Sequence, residues 1–369
     1  MNLVVPALVA GAVTLVLSVL LPIVVKPLLQ RLGIMDVPNE RSSHARPVLR
    51  GLGLAVLISM LVGGAVAVLW FALAAEPVVR WEALLVVVVG SLAAGLLGLG
   101  EDLRGISVKA RSILLLLIAL LVPVGLLLVR ADPLHVRDLT FELPPPAPLS
   151  LPEALPVGAS ILLVAYAVLF ISSYINVANF MDGLNGISGF HGVIAGLTFA
   201  AAGWLDAQPW LIAAGLVLAA GFGGFLPWNL TKPGAFLGDV GSYLLGGATA
   251  ITSFAAWLSG LPLLATIGPM VIYFGDVGVT LVKRVRAGHR WDEPHKEHAY
   301  QRIQQLGYSH VAASGITALC TLAASILGLI SLYTGPWGTA ALLAGGLAIV
   351  VFYTLLPRLL PARHARVAR

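Results

Sequence analysis

The residues best able to do chemistry in this chain are few, and they are clustered. Between Asn176 and Gly189 the sequence reads Asn-Val-Ala-Asn-Phe-Met-Asp-Gly-Leu-Asn-Gly-Ile-Ser-Gly, a polar island between apolar runs. Asn176, Asn179 and Asp182 recur every third residue, so on the end of a helix they share one face. Asp182-Gly183 and Asn185-Gly186 are turn dipeptides. A lone Asp-Gly would be an ordinary loop closing a helix. Several amide and carboxylate groups converging beside apolar runs are costly to desolvate without a ligand or partner.

Five further stretches carry ionisable groups. Glu101 and Asp102 are adjacent, at a helix C-terminus whose dipole opposes them, and two such acids call for a nearby cation such as Mg²⁺, Lys109 or Arg111. Asp239 stands between Gly238 and Gly241, which would let a ligand approach the backbone, and Phe236 offers a stacking face. The plain alternative for Asp239 is a helix cap. Asp276 lies near the end of an apolar run, where pairing with Lys283 or Arg284 is the simplest account. The stretch His295-Lys-Glu-His298 sets two imidazoles at i,i+3, able to grip a phosphate or metal, without the Cys or spacing of a structural zinc site. Arg41, His44, Arg46 and Arg50 precede Gly51 and Gly53 at the start of an apolar run. Charge and free N–H groups there suit phosphate oxygens.

The elements that position these groups follow from composition. Of 369 residues, 59% are apolar and 11% charged, too apolar for a soluble domain of this size. A membrane span needs about 20 apolar residues. Eleven stretches qualify: 3–28, 52–75, 82–100, 112–130, 156–175, 187–203, 209–228, 242–258, 261–282, 311–333 and 338–357. No ten-residue alternating strands appear, so the expected fold is all-α and polytopic, not a β-barrel.

No basic residue precedes the first apolar run, which therefore reads as a span and not a secretory signal. Of 22 Lys and Arg, 18 fall in one set of alternate loops and the C-terminal tail, and only Arg80, Arg130 and Arg137 in the other set. That asymmetry puts the N-terminus outside and every acidic or amide cluster on the cytoplasmic side. The net charge of +5 then reflects topology and anionic lipid, not nucleic acid. Cys320 is single, so no disulfide forms within the chain. The chain reads as one transmembrane domain over 1–369. It includes an external Pro-rich loop at 131–155, a large His-containing loop at 283–310 and a basic tail at 358–369. Acids alone would repel a phosphorylated substrate; with Mg²⁺ and Arg or Lys clamps they make a site for phosphoryl transfer. Eleven spans exceed what an anchor needs, and a lipid is the natural second substrate.

Taken together, Pro38-Asn-Glu-Arg-Ser-Ser-His44 with Pro47 and Arg50-Gly51, Glu101-Asp102, Asn176 to Gly183, Phe236-Leu-Gly-Asp-Val-Gly-Ser242 and His295-Lys-Glu-His298 resemble the polyprenyl-phosphate N-acetylhexosamine-1-phosphate transferases. The resemblance covers about Gly33 to Tyr308, in the family's order. It implies transfer of a sugar phosphate from a UDP-N-acetylhexosamine to undecaprenyl phosphate, with release of UMP, at a bacterial inner membrane, for O-antigen or another envelope polysaccharide. The implied cofactor is Mg²⁺, with Mn²⁺ as a substitute. The implied partners are the UDP-sugar, undecaprenyl phosphate and the bilayer, with a homodimer compatible. By motif, Asp239 resembles the metal ligand and Asp102 the base acting on the lipid phosphate, with Glu101 beside it. Asn179 and Asp182 resemble the nucleotide and metal pocket, which Asn176 and Asn185 border. Phe236 matches a uracil-stacking position, and His295 and His298 match a histidine motif near the sugar or diphosphate. Arg46, Arg50, Lys109 and Arg111 are the expected anion contacts. Two departures stand out: Glu101 and Asn185 occupy positions where the family usually has Asp. The rival readings are a secondary transporter, which would carry mid-span acids on broken, repeated helices, and an inactive scaffold.

Overall fold

A computed structural model describes residues 4–36, 47–74, 80–130, 157–231, 234–290 and 295–363. Pro38–His44 and Arg46, the 131–155 loop and the end of the basic tail lie outside these residues. The chain is an all-α polytopic membrane protein. Its helices are α1 (Val4–Leu20), α2 (Pro22–Arg31), α3 (Gly53–Leu73), α4 (Trp81–Arg104), α5 (Val108–Arg130), α6 (Val157–Met181), α7 (Ile187–Leu205), α8 (Pro209–Asn229) and α9 (Gly238–Leu258). They continue with α10 (Leu263–Ile267), α11 (Val271–Arg286), α12 (Ala299–Gln305), α13 (His310–Ile330) and α14 (Pro336–Leu359).

Among the described residues, nine helices are long and apolar enough to cross a membrane, one of them being the α10–α11 unit taken as Leu263–Arg286. The first expected span is a bent pair. α1 and α2 meet at 42°, where Pro22 opens α2 without an N–H to continue the ladder. The span expected at 261–282 is likewise interrupted, by a short 3₁₀ turn at Gly268–Met270 that contains Pro269.

The remaining expected span, 242–258, is α9, and it differs in kind. It is long enough to span but rich in Gly, Ala, Ser and Thr, and nearly every residue is buried. A helix enclosed by other helices needs small residues for close approach, not large ones for lipid. α9 packs against α4 and α6 over long stretches and touches α3, α5, α7 and α8. It also begins four residues earlier than hydropathy indicates, which brings Asp239 into its first turn. α14, at the opposite extreme, buries few of its residues.

A short ribbon fixes the chain between α2 and α3. Met35 pairs with Leu49 and Asp36 with Val48, antiparallel. The N–H of Phe236 donates to the Leu49 carbonyl, and the N–H groups of Leu52 and Gly53 donate to the carbonyls of Phe236 and Leu237. This stitching lays the segment around Arg50 alongside the start of α9.

Candidate active site at the start of helix α9

The site is assembled where α3, α4, α6 and α9 end together. Gly98, one turn before Asp102 on α4, faces the first turn of α9; a Cβ there would lie 2.1 Å from the Asp239 carbonyl oxygen. Only a glycine lets the two backbones come this close. Gly53, at the start of α3, is as tight: its Cβ would fall 2.6 Å from Gly241 Cα. Gly238 adopts φ +77° and lies against Gly51 and Asp102. The glycines expected to admit a ligand therefore admit neighbouring backbone.

Asp102 is almost wholly buried. Its Oδ1 accepts the N–H of Asp239 at 3.1 Å and its Oδ2 that of Val240 at 2.9 Å. It thus caps α9 from another helix, in a position where a carboxylate also meets the helix dipole. Leu237, the residue before α9, makes no side-chain cap, and Asp239 is not one either. Arg50 Nε completes the shell of Asp102 at 2.8 Å, and its Nη2 reaches Asp239 Oδ2 at 2.6 Å. Asn179 on α6 donates through Nδ2 to Asp239 Oδ1 at 2.8 Å and to Ser242 Oγ at 2.9 Å. Asp239, 19% exposed against 1% for Asp102, is the acid of this group that faces outward.

Asp182 follows α6 directly and accepts the Ser188 hydroxyl at 2.6 Å. Burial pushes its carboxyl up to about 7; the Ser188 hydrogen bond opposes the shift and the nearby Asp239 charge adds to it. Among the described residues no three His, Cys, Asp or Glu converge as a ready metal cage. The donor set at Asp239 and Asp182 is nonetheless made of hard oxygens. That suits a cation such as Mg²⁺, which takes one or two carboxylates and fills its shell with phosphate and water.

Other expected residues are drawn elsewhere. Glu101 Oε2 accepts the Ile106 N–H at 3.0 Å and Oε1 meets Arg111 Nη1 at 3.2 Å, closing the α4–α5 turn. The extra methylene of Glu is what gives it that reach. Lys109 is exposed on the first turn of α5. Asn176 donates back to the Ser172 carbonyl at 2.9 Å, within α6. Phe236 is half-buried with its backbone committed to the ribbon. The backbone N–H groups expected to hold phosphate at the start of α3 are those of Leu52 and Gly53, and they too are spent on that ribbon.

Asn185 takes part in a staple between loops. Its Nδ2 donates to the Asn229 carbonyl at 2.6 Å, its Oδ1 lies 3.3 Å from His310 Nδ1, and its carbonyl accepts Ser314 Oγ at 2.9 Å. Asn229 Oδ1 in turn takes the N–H of Gly186. An aspartate could not donate to that carbonyl, which is a structural reason for an amide here.

His298 is likewise held by partners from other elements. It is buried, precedes α12, and sets Nδ1 3.2 Å from Asp276 Oδ1. Asp276 accepts the Ala299 N–H at 2.9 Å and the Tyr353 hydroxyl at 2.9 Å. A second buried Asp thus caps a helix from outside it. The expected pairing of Asp276 with Lys283 or Arg284 gives way to this; Arg284 instead meets Glu297 and the Arg290 carbonyl. The His298 ring stacks at 12° on Tyr300, whose hydroxyl donates to the Phe180 carbonyl at 3.0 Å. The histidine loop therefore props the turn that carries Asp182. His295, with its ring 4.9 Å from that of His298, has its pKa lowered to about 4, by desolvation first and then by His298 and Arg284.

Residues 84–256, from α4 through α9, match the profile of glycosyl transferase family 4. That segment is just under half of the chain. A decaprenyl-phosphate N-acetylglucosaminephosphotransferase of Mycobacterium tuberculosis is 28% identical over 91% of this chain and 85% of its own. A probable undecaprenyl-phosphate N-acetylglucosaminyl 1-phosphate transferase of Bacillus subtilis is 26% identical over 81% and 78%. A phospho-N-acetylmuramoyl-pentapeptide-transferase of Synechococcus elongatus is 39% identical over 29% of each chain. The family segment holds Asp102, Asn179, Asp182, Asp239 and Ser242. Gly98 carries no signal by type; only its place one turn from an acid on a close-packed helix marks it.

Proposed function

We propose that this protein transfers an N-acetylhexosamine 1-phosphate, N-acetylglucosamine 1-phosphate by its relatives' names, from a UDP-sugar to a polyprenyl phosphate. An oxygen of the lipid phosphate attacks the sugar-bearing phosphorus. The bond from that phosphorus to the bridging oxygen breaks, and UMP leaves with that oxygen. The lipid phosphate is a dianion or monoanion that needs no strong base, so orientation and charge neutralisation carry the step.

The observation that carries this reading is Asp239, partly exposed at the first turn of the buried α9 and flanked by Arg50 and Asn179. Asp239 and Asp182 would hold Mg²⁺, which neutralises diphosphate charge when bound. Arg50 would pair with a phosphate oxygen. Asn179 orients Asp239 while bridging to Ser242. Phe236 and the Asp182 turn border the nucleotide side. Asp102 serves here as the fixed cap of α9, in place of the base role implied by family resemblance, because its oxygens are taken by two N–H groups and Arg50. The distribution of Lys and Arg supports a cytoplasmic site at a bacterial inner membrane, early in the synthesis of an envelope polysaccharide.

The test is purified protein with polyprenyl phosphate, Mg²⁺ and a panel of UDP-N-acetylhexosamines. UMP release dependent on both substrates is expected, and Asp239→Asn should lower it more than about tenfold with folding retained. Release of UDP instead, or no nucleotide release from any sugar, overturns the reading.

A further inference from the structure

Arg50 is held at both ends of its guanidinium by acids of unequal standing. Asp102 is buried and locked by the α9 N–H groups. Asp239 is the more exposed, and its Oδ2 is the oxygen covered by Arg50 Nη2 at 2.6 Å. Its Oδ1 already accepts from Asn179. A divalent cation at Asp239 would thus meet a resident positive charge on the carboxylate oxygen it needs. Two like charges on one oxygen repel strongly in a partly desolvated site.

The backbone at Arg50 leaves little room for retreat. Its N–H donates to Ile34, while Leu49 and Leu52 on either side are hydrogen-bonded to Phe236. The long side chain can still turn about the Nε contact with Asp102, keeping that pair and releasing Nη2. We infer that Arg50 is the resident counter-ion of Asp239, competing with the divalent cation until a diphosphate takes the guanidinium. Metal and nucleotide then bind with positive coupling, because each relieves the other's competitor. This makes Arg50 a positioning residue that keeps the acid neutralised between turnovers. The inference rests on Asp239 being a metal ligand, as proposed above.

Mn²⁺ is the probe, with free ion followed by electron paramagnetic resonance on the full chain in detergent. Without nucleotide, Arg50→Gln should bind Mn²⁺ tighter than wild type by about tenfold or more, the usual effect of removing a charge at this range. Arg50→Lys, which keeps the charge but cannot span both acids, should fall between. Wild type should gain Mn²⁺ affinity on addition of UDP-N-acetylglucosamine, and Arg50→Gln should gain much less. Folded Arg50→Gln with unchanged or weaker Mn²⁺ binding overturns the inference. If that variant does not fold, wild-type Mn²⁺ affinity indifferent to the nucleotide overturns it as well. Asp239→Asn separates the two levels. Tight Mn²⁺ binding that survives this change removes the metal reading itself, and the inference with it.

Discussion

Asp102 and Val240 are joined by a 2.9 Å hydrogen bond across 138 residues of sequence, from the end of one helix to the first turn of another. Together with the bond from the Asp239 N–H, it makes Asp102 the cap of α9. Asp102→Asn keeps the shape but puts an amide where two N–H groups and a guanidinium need an anion. The expected loss is about 1.5–3 kcal/mol of stability, in the range of hydrogen bonds to charged groups. Turnover should fall along with the unfolding temperature. Asp239→Asn should instead stop turnover with little change in unfolding temperature. An Asp102→Asn protein with wild-type stability and no turnover would return Asp102 to a chemical role.

Asp182 supplies the pH dependence. Its carboxyl is raised to about 7 in the folded chain, against 3.8 as reference, chiefly by burial. A raised acid favours the folded state in its protonated form. That contribution is complete below the reference value and is lost as pH climbs to about 7. Metal binding needs the ionised form, so Mn²⁺ affinity should rise with pH through about 7 while the stability of the ligand-free protein declines. In Asp182→Asn both slopes should flatten. An affinity that ignores pH across this window would remove Asp182 from the metal shell.

Gly98 tests the helix contact on which the site is built. In Gly98→Ala the new methyl would meet the Asp239 carbonyl at 2.1 Å, where rigid backbone, not a flexible side chain, stands in the way. Overpacking of this kind costs about 1–3 kcal/mol. It should also move Asp239 relative to Arg50 and Asn179, so turnover should drop more than stability alone explains. Thermal unfolding and steady-state rates on the same preparation check this; a fully active Gly98→Ala protein would rule the close contact out.

Asn185→Asp installs the residue that the resemblance leads one to expect at this position, yet here it should harm. The Nδ2 that donates to Asn229 at 2.6 Å becomes an acceptor facing an acceptor. The expected cost is about 1–3 kcal/mol, seen as a lower unfolding temperature. Nucleotide affinity should change little at temperatures where the protein is folded. A selective loss of nucleotide affinity at full stability would put Asn185 back in the pocket.

Much of the architecture is legible from the sequence alone. Lipid admits helices or closed barrels, and with no alternating strands in the sequence the length of each apolar run marks a span and polar clusters fall at the helix ends. That is enough to bring Arg50, Asp102, Asn179, Asp182 and Asp239 to one end of the bundle, and the family's motif order is readable with them. α9 is legible in outline only, because a helix enclosed by helices loses the hydrophobic contrast that marks its start. The tertiary structure alone decided which neighbours these groups have. Glu101 and Asp102 are adjacent in the chain but about 100° apart around the helix, so one turns to Arg111 and the other to α9. His298 and Asn185 read as ligand contacts by type. Their partners, Asp276 and Asn229, come from other helices, and a buried polar group takes the donor or acceptor that packing brings within reach.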